Sequence, residues 1–75
     1  MKKLFAYKTR CGTFYLSQSS DGRFHPCVDD ESLGSYLTIQ QALEDLVGGH
    51  TFWPSSGEPS LLNIPDTLEG WQRLY

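Results

Sequence analysis

The sequence contains little of what a membrane-spanning or a disulfide-rich secreted protein needs. Its 75 residues include only two cysteines, which permit one intramolecular disulfide. No apolar run approaches the ~20 residues that a bilayer span requires. The basic start MKKLFAYKTRC is not followed by the apolar stretch of a signal peptide. We therefore expect a cytoplasmic protein with reduced thiols and no membrane association.

Chain length and composition favour one small folded domain over residues 1–75. Hydrophobic residues make up 39% and aromatic residues 13%, which is too apolar for a disordered chain. The net charge of −3 is uneven: residues 1–27 hold five cations and one carboxylate, whereas residues 28–75 hold eight carboxylates and one cation. We interpret the halves as folding against each other, with two oppositely charged binding faces as the alternative.

The first part of the chain has the pattern of a β-meander. Strands are predicted from β-forming and alternating side chains over residues 3–9, 13–17 and 23–28. Gly12 suits a turn after the first strand, and Asp21-Gly22 is a strong hairpin signal after the second. Pro26 lacks a backbone donor, so the third strand is expected at a sheet edge or leaving the sheet there. Residues 33–37 are the candidate for a fourth strand.

The clearest signal is an amphipathic helix over residues 38–47. Thr38 and Gln41 have the spacing of a capping box, and Gly48-Gly49 suits the C-terminal end. A helix this short must pack on the sheet. We therefore predict an α+β fold, an antiparallel β-meander of three to four strands packed by one helix. The predicted core consists of Phe5, Phe14, Leu16, Phe24, Ile39, Leu43, Leu46 and Val47.

The C-terminal segment is rich in loop-forming residues. Residues 50–63 contain two of the four prolines together with several serines, which is typical of a loop. Asp66 and Glu69, directly after Pro65, have capping-box spacing and predict a short second helix. Gly70 would weaken that helix by ~1 kcal/mol relative to alanine.

The leading functional hypothesis is a small non-catalytic protein-interaction or regulatory module. Aromatic side chains dominate the contacts that carry binding energy, and acidic patches suit a basic partner. The partner is an unidentified protein, and the chain is expected to be a monomer or a homodimer. The residues proposed to contact it are Trp53, Trp71, Tyr75, Asp29, Asp30, Glu44 and Asp45.

Two alternatives remain open. Aromatic and basic side chains on an open sheet face suit a single-stranded nucleic acid, whose bases stack on aromatic rings. The residues of this hypothesis are Tyr7, Lys8, Arg10, Tyr15, Arg23 and His25. The second alternative is a small zinc-stabilised domain, in which the meander brings four ligand types to one end of the sheet. Its ligands would be Cys11, His25, Cys27 and His50, although no standard Cys-x-x-Cys spacing is present.

No residue pattern in the sequence points to catalysis. The serines lack a Gly-x-Ser-x-Gly context, and the glycine pair at residues 48–49 is not followed by the lysine of a phosphate-binding loop. We predict that the protein is not an enzyme and needs no cofactor.

The strings DGRFHP, ESLGSY-x-T-x-QQAL-x-DL-x-GGHTF and IPDTLEGW span almost the whole chain. Together they resemble a group of short uncharacterised bacterial proteins that are often encoded on mobile or accessory DNA. The resemblance implies a bacterial, cytoplasmic, stand-alone protein and no activity, and the role it suggests for the predicted interaction module is that of an accessory-element factor. Residues 3–47 also resemble the strand–strand–strand–helix modules of HicB-type antitoxins, a common arrangement that carries little functional weight.

Overall fold

The computed structural model describes residues 1–10, 12–29, 31–49 and 64–75. Within these residues the chain forms five β-strands, one α-helix and one turn of 3₁₀ helix. In chain order they are β1 (Lys2–Thr9), β2 (Gly12–Gln18), β3 (Phe24–Val28), β4 (Glu31–Ser32), α1 (Ile39–Gly48), the 3₁₀ turn (Leu68–Gly70) and β5 (Gln72–Arg73).

The strands form one antiparallel sheet with the order β4-β3-β2-β1-β5. The first four strands are a meander, and the C-terminal strand returns to pair with β1 at the opposite edge. The sheet therefore ends in a two-residue strand on each side, which leaves little edge for unwanted pairing. The predicted α+β class, with one helix packed on an antiparallel meander, is confirmed.

The predicted fourth strand lies elsewhere than expected. Strand β4 covers Glu31–Ser32, not residues 33–37, and pairs with Cys27 and Val28. Beyond it, Gly34 adopts a φ of 155°, and Tyr36 returns to form an isolated bridge with Phe24. The other edge strand, β5, was not predicted at all, because two residues are too few to show a period of two.

Pro26 does not place β3 at the edge of the sheet, so that expectation is wrong. Strand β3 lies between β2 and β4, and Pro26 is opposite Leu16. The Pro26 carbonyl accepts a hydrogen bond from the Leu33 amide at 2.7 Å. In an antiparallel strand a residue's nitrogen and carbonyl point to the same side. The missing donor therefore faces the short β4 side and leaves the β2 ladder intact.

The helix and its turns follow the predicted chemistry. The Gln41 amide donates to the Thr38 hydroxyl at 3.1 Å, which caps the helix start. Gly49 ends the helix with a φ of 76°, a left-handed conformation that suits glycine. Gly22 has a φ of 85° in the β2–β3 hairpin.

The helix covers one face of the sheet, here called the helix-side face. Cross-strand pairing places Phe5, Tyr7, Phe14, Leu16 and Val28 on it. The core joins most of these residues to the helix and to the C-terminal segment. Its buried members are Leu4, Phe5, Phe14, Leu16, Val28, Leu33, Ala42, Leu43, Leu46, Ile64 and Trp71, whereas the predicted core residues Phe24, Ile39 and Val47 are partly buried against it.

The C-terminal segment departs from its prediction. The helical turn at Leu68–Gly70 is 3₁₀, and its first turn receives no side-chain cap, so the second capping box does not form. The structure describes no helix that is long and apolar enough to cross a membrane.

Candidate functional site

A bulge in β1 builds the candidate site. Lys3 is opposite Ser17, but Phe5 is opposite Leu16, so β1 contains one extra residue at Leu4. Side chains alternate between faces along a strand, and the extra residue shifts this alternation. As a result Lys2, opposite Gln18, joins the helix-side face, whereas Lys3 lies on the other side of the sheet, here called the outer face.

Beside this bulge lies an open groove with a volume of about 390 Å³. This volume is near the lower end of the range of about 300–1,000 Å³ for ligand pockets. The groove is bounded by β1, β2 and β3, by the start of α1 and by the C-terminal segment. Among the residues that the structure describes, its lining is mostly apolar. The apolar members are Leu4, Phe5, Phe24, Ile39, Leu68 and Tyr75, and the polar members are Lys2 and Gln18.

Two cations converge on the aromatic ring at the mouth of the groove. The Arg73 guanidinium carbon lies 4.4 Å from the centre of the Tyr75 ring, and the Lys2 ammonium nitrogen lies 5.7 Å from it. Arg73 is opposite Phe5 in the β1–β5 pair, so strand alternation directs Arg73 and Tyr75 to the helix-side face. Phe5 meets the Tyr75 ring edge-on, with 5.8 Å between ring centres.

Apolar side chains remain exposed around the groove. Tyr75 is 58% exposed, and Leu37, which lies between groove-lining Ile39 and the Tyr36 bridge to Phe24, is 70% exposed. Large apolar side chains that remain exposed beside a groove are typical of a binding surface. The groove-lining residues within the part of the chain that the structure describes include no carboxylate.

Of the two described aromatic residues that were predicted to contact a partner, Trp71 and Tyr75, only Tyr75 lines this groove. Trp71 is 5% exposed, contacts Tyr7 at 5.8 Å between ring centres, and donates its indole hydrogen to the Pro65 carbonyl at 3.0 Å. Trp71 therefore belongs to the core, which corrects its predicted role. Trp53 lies outside the described residues.

The predicted acidic contacts are dispersed. Asp29 is exposed with a φ of 49°, and its carboxylate accepts a hydrogen bond from the Thr13 amide at 3.4 Å. On the helix, Glu44 accepts from the Gln40 side chain, whereas Asp45 faces the Tyr36 hydroxyl. These carboxylates do not form one acidic face. Asp30 lies outside the described residues.

Of the residues predicted to bind nucleic acid, three share the outer face of the sheet and Tyr7 lies on the opposite face. Tyr7 lies on the helix-side face opposite Phe14, so it does not share a face with Tyr15, because neighbouring positions alternate. Lys8, Tyr15 and His25 lie together on the outer face. The Lys3 ammonium nitrogen is 4.3 Å from the Tyr15 ring centre and occupies one ring face.

The two remaining cations of that hypothesis lie at turns. Arg10 is exposed at the end of β1, and the Arg23 side chain donates to the Ser35 hydroxyl at 2.6 Å.

His25 is engaged in the β2–β3 hairpin. Its two ring nitrogens lie 2.9 Å from the Gly34 carbonyl oxygen and 3.0 Å from the Ser19 hydroxyl oxygen. The Ser19 hydroxyl donates to the Asp21 carboxylate, which lowers the pKa of Asp21 below its ordinary value. A nucleophilic serine would give its proton to the imidazole instead, so this cluster holds the hairpin together.

The proposed zinc ligands do not come together in the part of the chain that the structure describes. His25 uses both ring nitrogens, and Cys27 is buried, which raises the pKa of its thiol. Cys11 and His50 lie outside the described residues. Among the residues described, no group of three or more metal-binding side chains occurs.

The outer face carries a second, more polar cleft of about 240 Å³. It is lined by Met1, Lys3, Ser17, Cys27, Asp29 and Ser32. This cleft is less apolar than the groove. Its described lining includes the oppositely charged Lys3 and Asp29 together with the buried Ser17 and Cys27.

Sequence reasoning missed the groove because it missed the bulge. A strict period of two places Lys2 with Leu4 and Ala6, away from Phe5. Lys2, Leu4, Leu68 and Arg73 therefore received no functional role, and no sequence signal marks the extra residue.

Comparison of this chain with protein-family models, with curated proteins and with solved structures finds no match.

Proposed function

We propose that the protein is a non-catalytic module that binds a short segment of another protein in the groove beside Tyr75. The observation that carries this proposal is the groove itself, which is open to solvent and is lined, among the described residues, by six apolar side chains. A peptide side chain inserted there would remove apolar surface from water on both partners, which is the main driving force of association.

The groove has the composition expected of a peptide-binding surface. Interfaces concentrate binding energy in aromatic anchors surrounded by contacts that exclude water. Tyr75 supplies such an anchor, since its ring is held by Phe5 and Arg73 while more than half of its surface stays exposed.

Selection from a random peptide-display library tests this proposal. We expect enriched peptides that bind the wild-type protein about ten- to thirty-fold more tightly than the Tyr75→Ser variant, which is the cost of truncating an aromatic anchor. The matched control is Tyr15→Ser, which removes a tyrosine from the outer face and should leave peptide affinity unchanged.

Both variants must show cooperative thermal unfolding, so that lost binding is not lost structure. The proposal fails if no peptide is enriched, or if the enriched peptides depend on Tyr15 and not on Tyr75.

A single-stranded nucleic acid is the second candidate ligand, because the sheet register brings Lys8, Tyr15 and His25 to one face. Against it stand the net charge of −3 and the Lys3 side chain over Tyr15. Fluorescence anisotropy with a labelled mixed oligonucleotide distinguishes the two candidates. Salt-sensitive binding that is lost in Tyr15→Ser supports nucleic acid, and no binding at low salt excludes it.

A further inference from the structure

We infer that the segment bound in the groove is acidic, with one or two large apolar side chains followed by carboxylates. This inference rests on the proposed function and adds the chemistry of the partner. The apolar side chains would enter the groove, and the carboxylates would meet Lys2 and Arg73 at its mouth.

Two like charges converge on the Tyr75 ring. Arg73 and Lys2 come from different strands, and both lie within 6 Å of the Tyr75 ring centre, at 4.4 Å and 5.7 Å. Each cation is attracted to the Tyr75 ring, so two positive charges are held beside one exposed side chain. A carboxylate bound next to that ring would be attracted by both charges.

Within the described part of the chain, no acidic side chain pairs with Lys2 or Arg73. Within those residues the interactions recorded for Lys2 and Arg73 are their contacts with Tyr75, and no groove-lining side chain is acidic. The charges at the mouth are therefore unpaired within this part of the molecule. Electrostatic complementarity then favours a ligand that brings its own carboxylates.

The charge at the mouth of the groove is opposite in sign to the net charge of the molecule. A net charge of −3 favours basic ligands at long range. The local pair of cations favours the opposite sign at short range. Ligand charge therefore distinguishes binding in this groove from general electrostatic attraction to the protein.

The test compares three pools of labelled ten-residue synthetic peptides by fluorescence anisotropy. In every pool two adjacent positions vary among leucine, isoleucine, phenylalanine and tyrosine, and they are followed by two glutamates, two glutamines or two lysines. We expect the glutamate pool to bind about five- to ten-fold more tightly than the glutamine pool, and the lysine pool to bind most weakly. The preference should shrink as salt rises, because exposed charges are screened.

The bulge provides a matched control for the charge. Lys2→Glu and Lys3→Glu change the net charge equally at adjacent positions whose side chains lie on opposite faces. We expect Lys2→Glu to abolish or reverse the preference for glutamate, and Lys3→Glu to keep it. Equal effects of the two variants would show that only net charge matters and would overturn the inference.

The outcomes separate this inference from the proposed function. Equal binding of the glutamate and glutamine pools, lost in Tyr75→Ser, would overturn the acidic partner and leave the peptide-binding groove standing. If none of the three pools binds, both are contradicted. Tighter binding of the lysine pool would also overturn the inference and would point to the net charge of the molecule.

Discussion

At the scale of single residues, adjacent side chains have very different surroundings. Lys2 and Lys3 are chemically identical neighbours, yet Lys2 lies over Tyr75 at the groove and Lys3 lies over Tyr15 on the outer face. Trp71 and Tyr75, two aromatic residues of the C-terminal segment, also differ in their surroundings. Trp71 is 5% exposed, whereas Tyr75 is 58% exposed. Residue type alone therefore does not identify the contact surface.

For the Gly70→Ala substitution, helix propensity and packing predict opposite changes in stability. Helix propensity predicts that Gly70→Ala stabilises the protein by about 1 kcal/mol. In the structure, an added Cβ atom at Gly70 would overlap the Pro65 ring. We expect the variant to lose about 1–3 kcal/mol of unfolding free energy, as other overpacked sites do. Urea denaturation of the two proteins measures the difference.

A double-mutant cycle with Pro65→Gly isolates the overlap. Removing the ring should make Gly70→Ala less costly than it is in the wild type, because the two positions are in contact. A higher denaturation midpoint for Gly70→Ala alone would contradict the packing described here.

At the scale of elements, the strongly periodic segments are the ones that sequence predicts. Helix α1 begins at the predicted cap and ends at the predicted glycine, because its apolar stripe extends over two turns. Strands β1, β2 and β3 are likewise close to their predicted bounds. The two-residue strands β4 and β5 could not be predicted, because they exist through pairing with distant strands and have no pattern of their own.

The candidate site depends on features that sequence reasoning does not reach. Its position requires the bulge at Leu4, the return of β5 to β1 and the alternation that directs Arg73 and Tyr75 inward. Each of these follows from cross-strand pairing between residues far apart in the chain. Of the seven residues predicted to contact a protein partner, the structure describes five, and among those five Tyr75 alone lines the groove. Its aromatic character and terminal position were the only available signals.

At the scale of the whole molecule, the buried Cys27 thiol and the partly buried Tyr36 hydroxyl link stability to alkaline pH. Burial raises the pKa of the Cys27 thiol above its ordinary value of 9.0. Burial and the Asp45 carboxylate raise the pKa of the Tyr36 hydroxyl above 10.0. The folded protein therefore holds both protons more tightly than the unfolded chain does. This contribution is complete below the unfolded pKa and is lost as pH rises through the folded pKa.

We expect the free energy of unfolding to fall above about pH 9, with a slope of at most about 1.4 kcal/mol per pH unit for each proton. In Cys27→Ser the decline should be shallower at its start, because only Tyr36 then contributes. Urea denaturation at stepped pH in reducing buffer measures both slopes. Identical slopes for the two proteins would contradict the burial of the Cys27 thiol.

Amide chemical-shift mapping shows whether a segment of another protein binds in the groove beside Tyr75. In this experiment the ¹⁵N-labelled protein is titrated with the tightest-binding peptide of the glutamate pool. We expect shift changes at Lys2–Phe5, Ile39, Leu68 and Tyr75, with Tyr15, His25 and Cys27 unaffected. Changes centred on the outer face, or no changes at saturating peptide, would contradict binding in the groove.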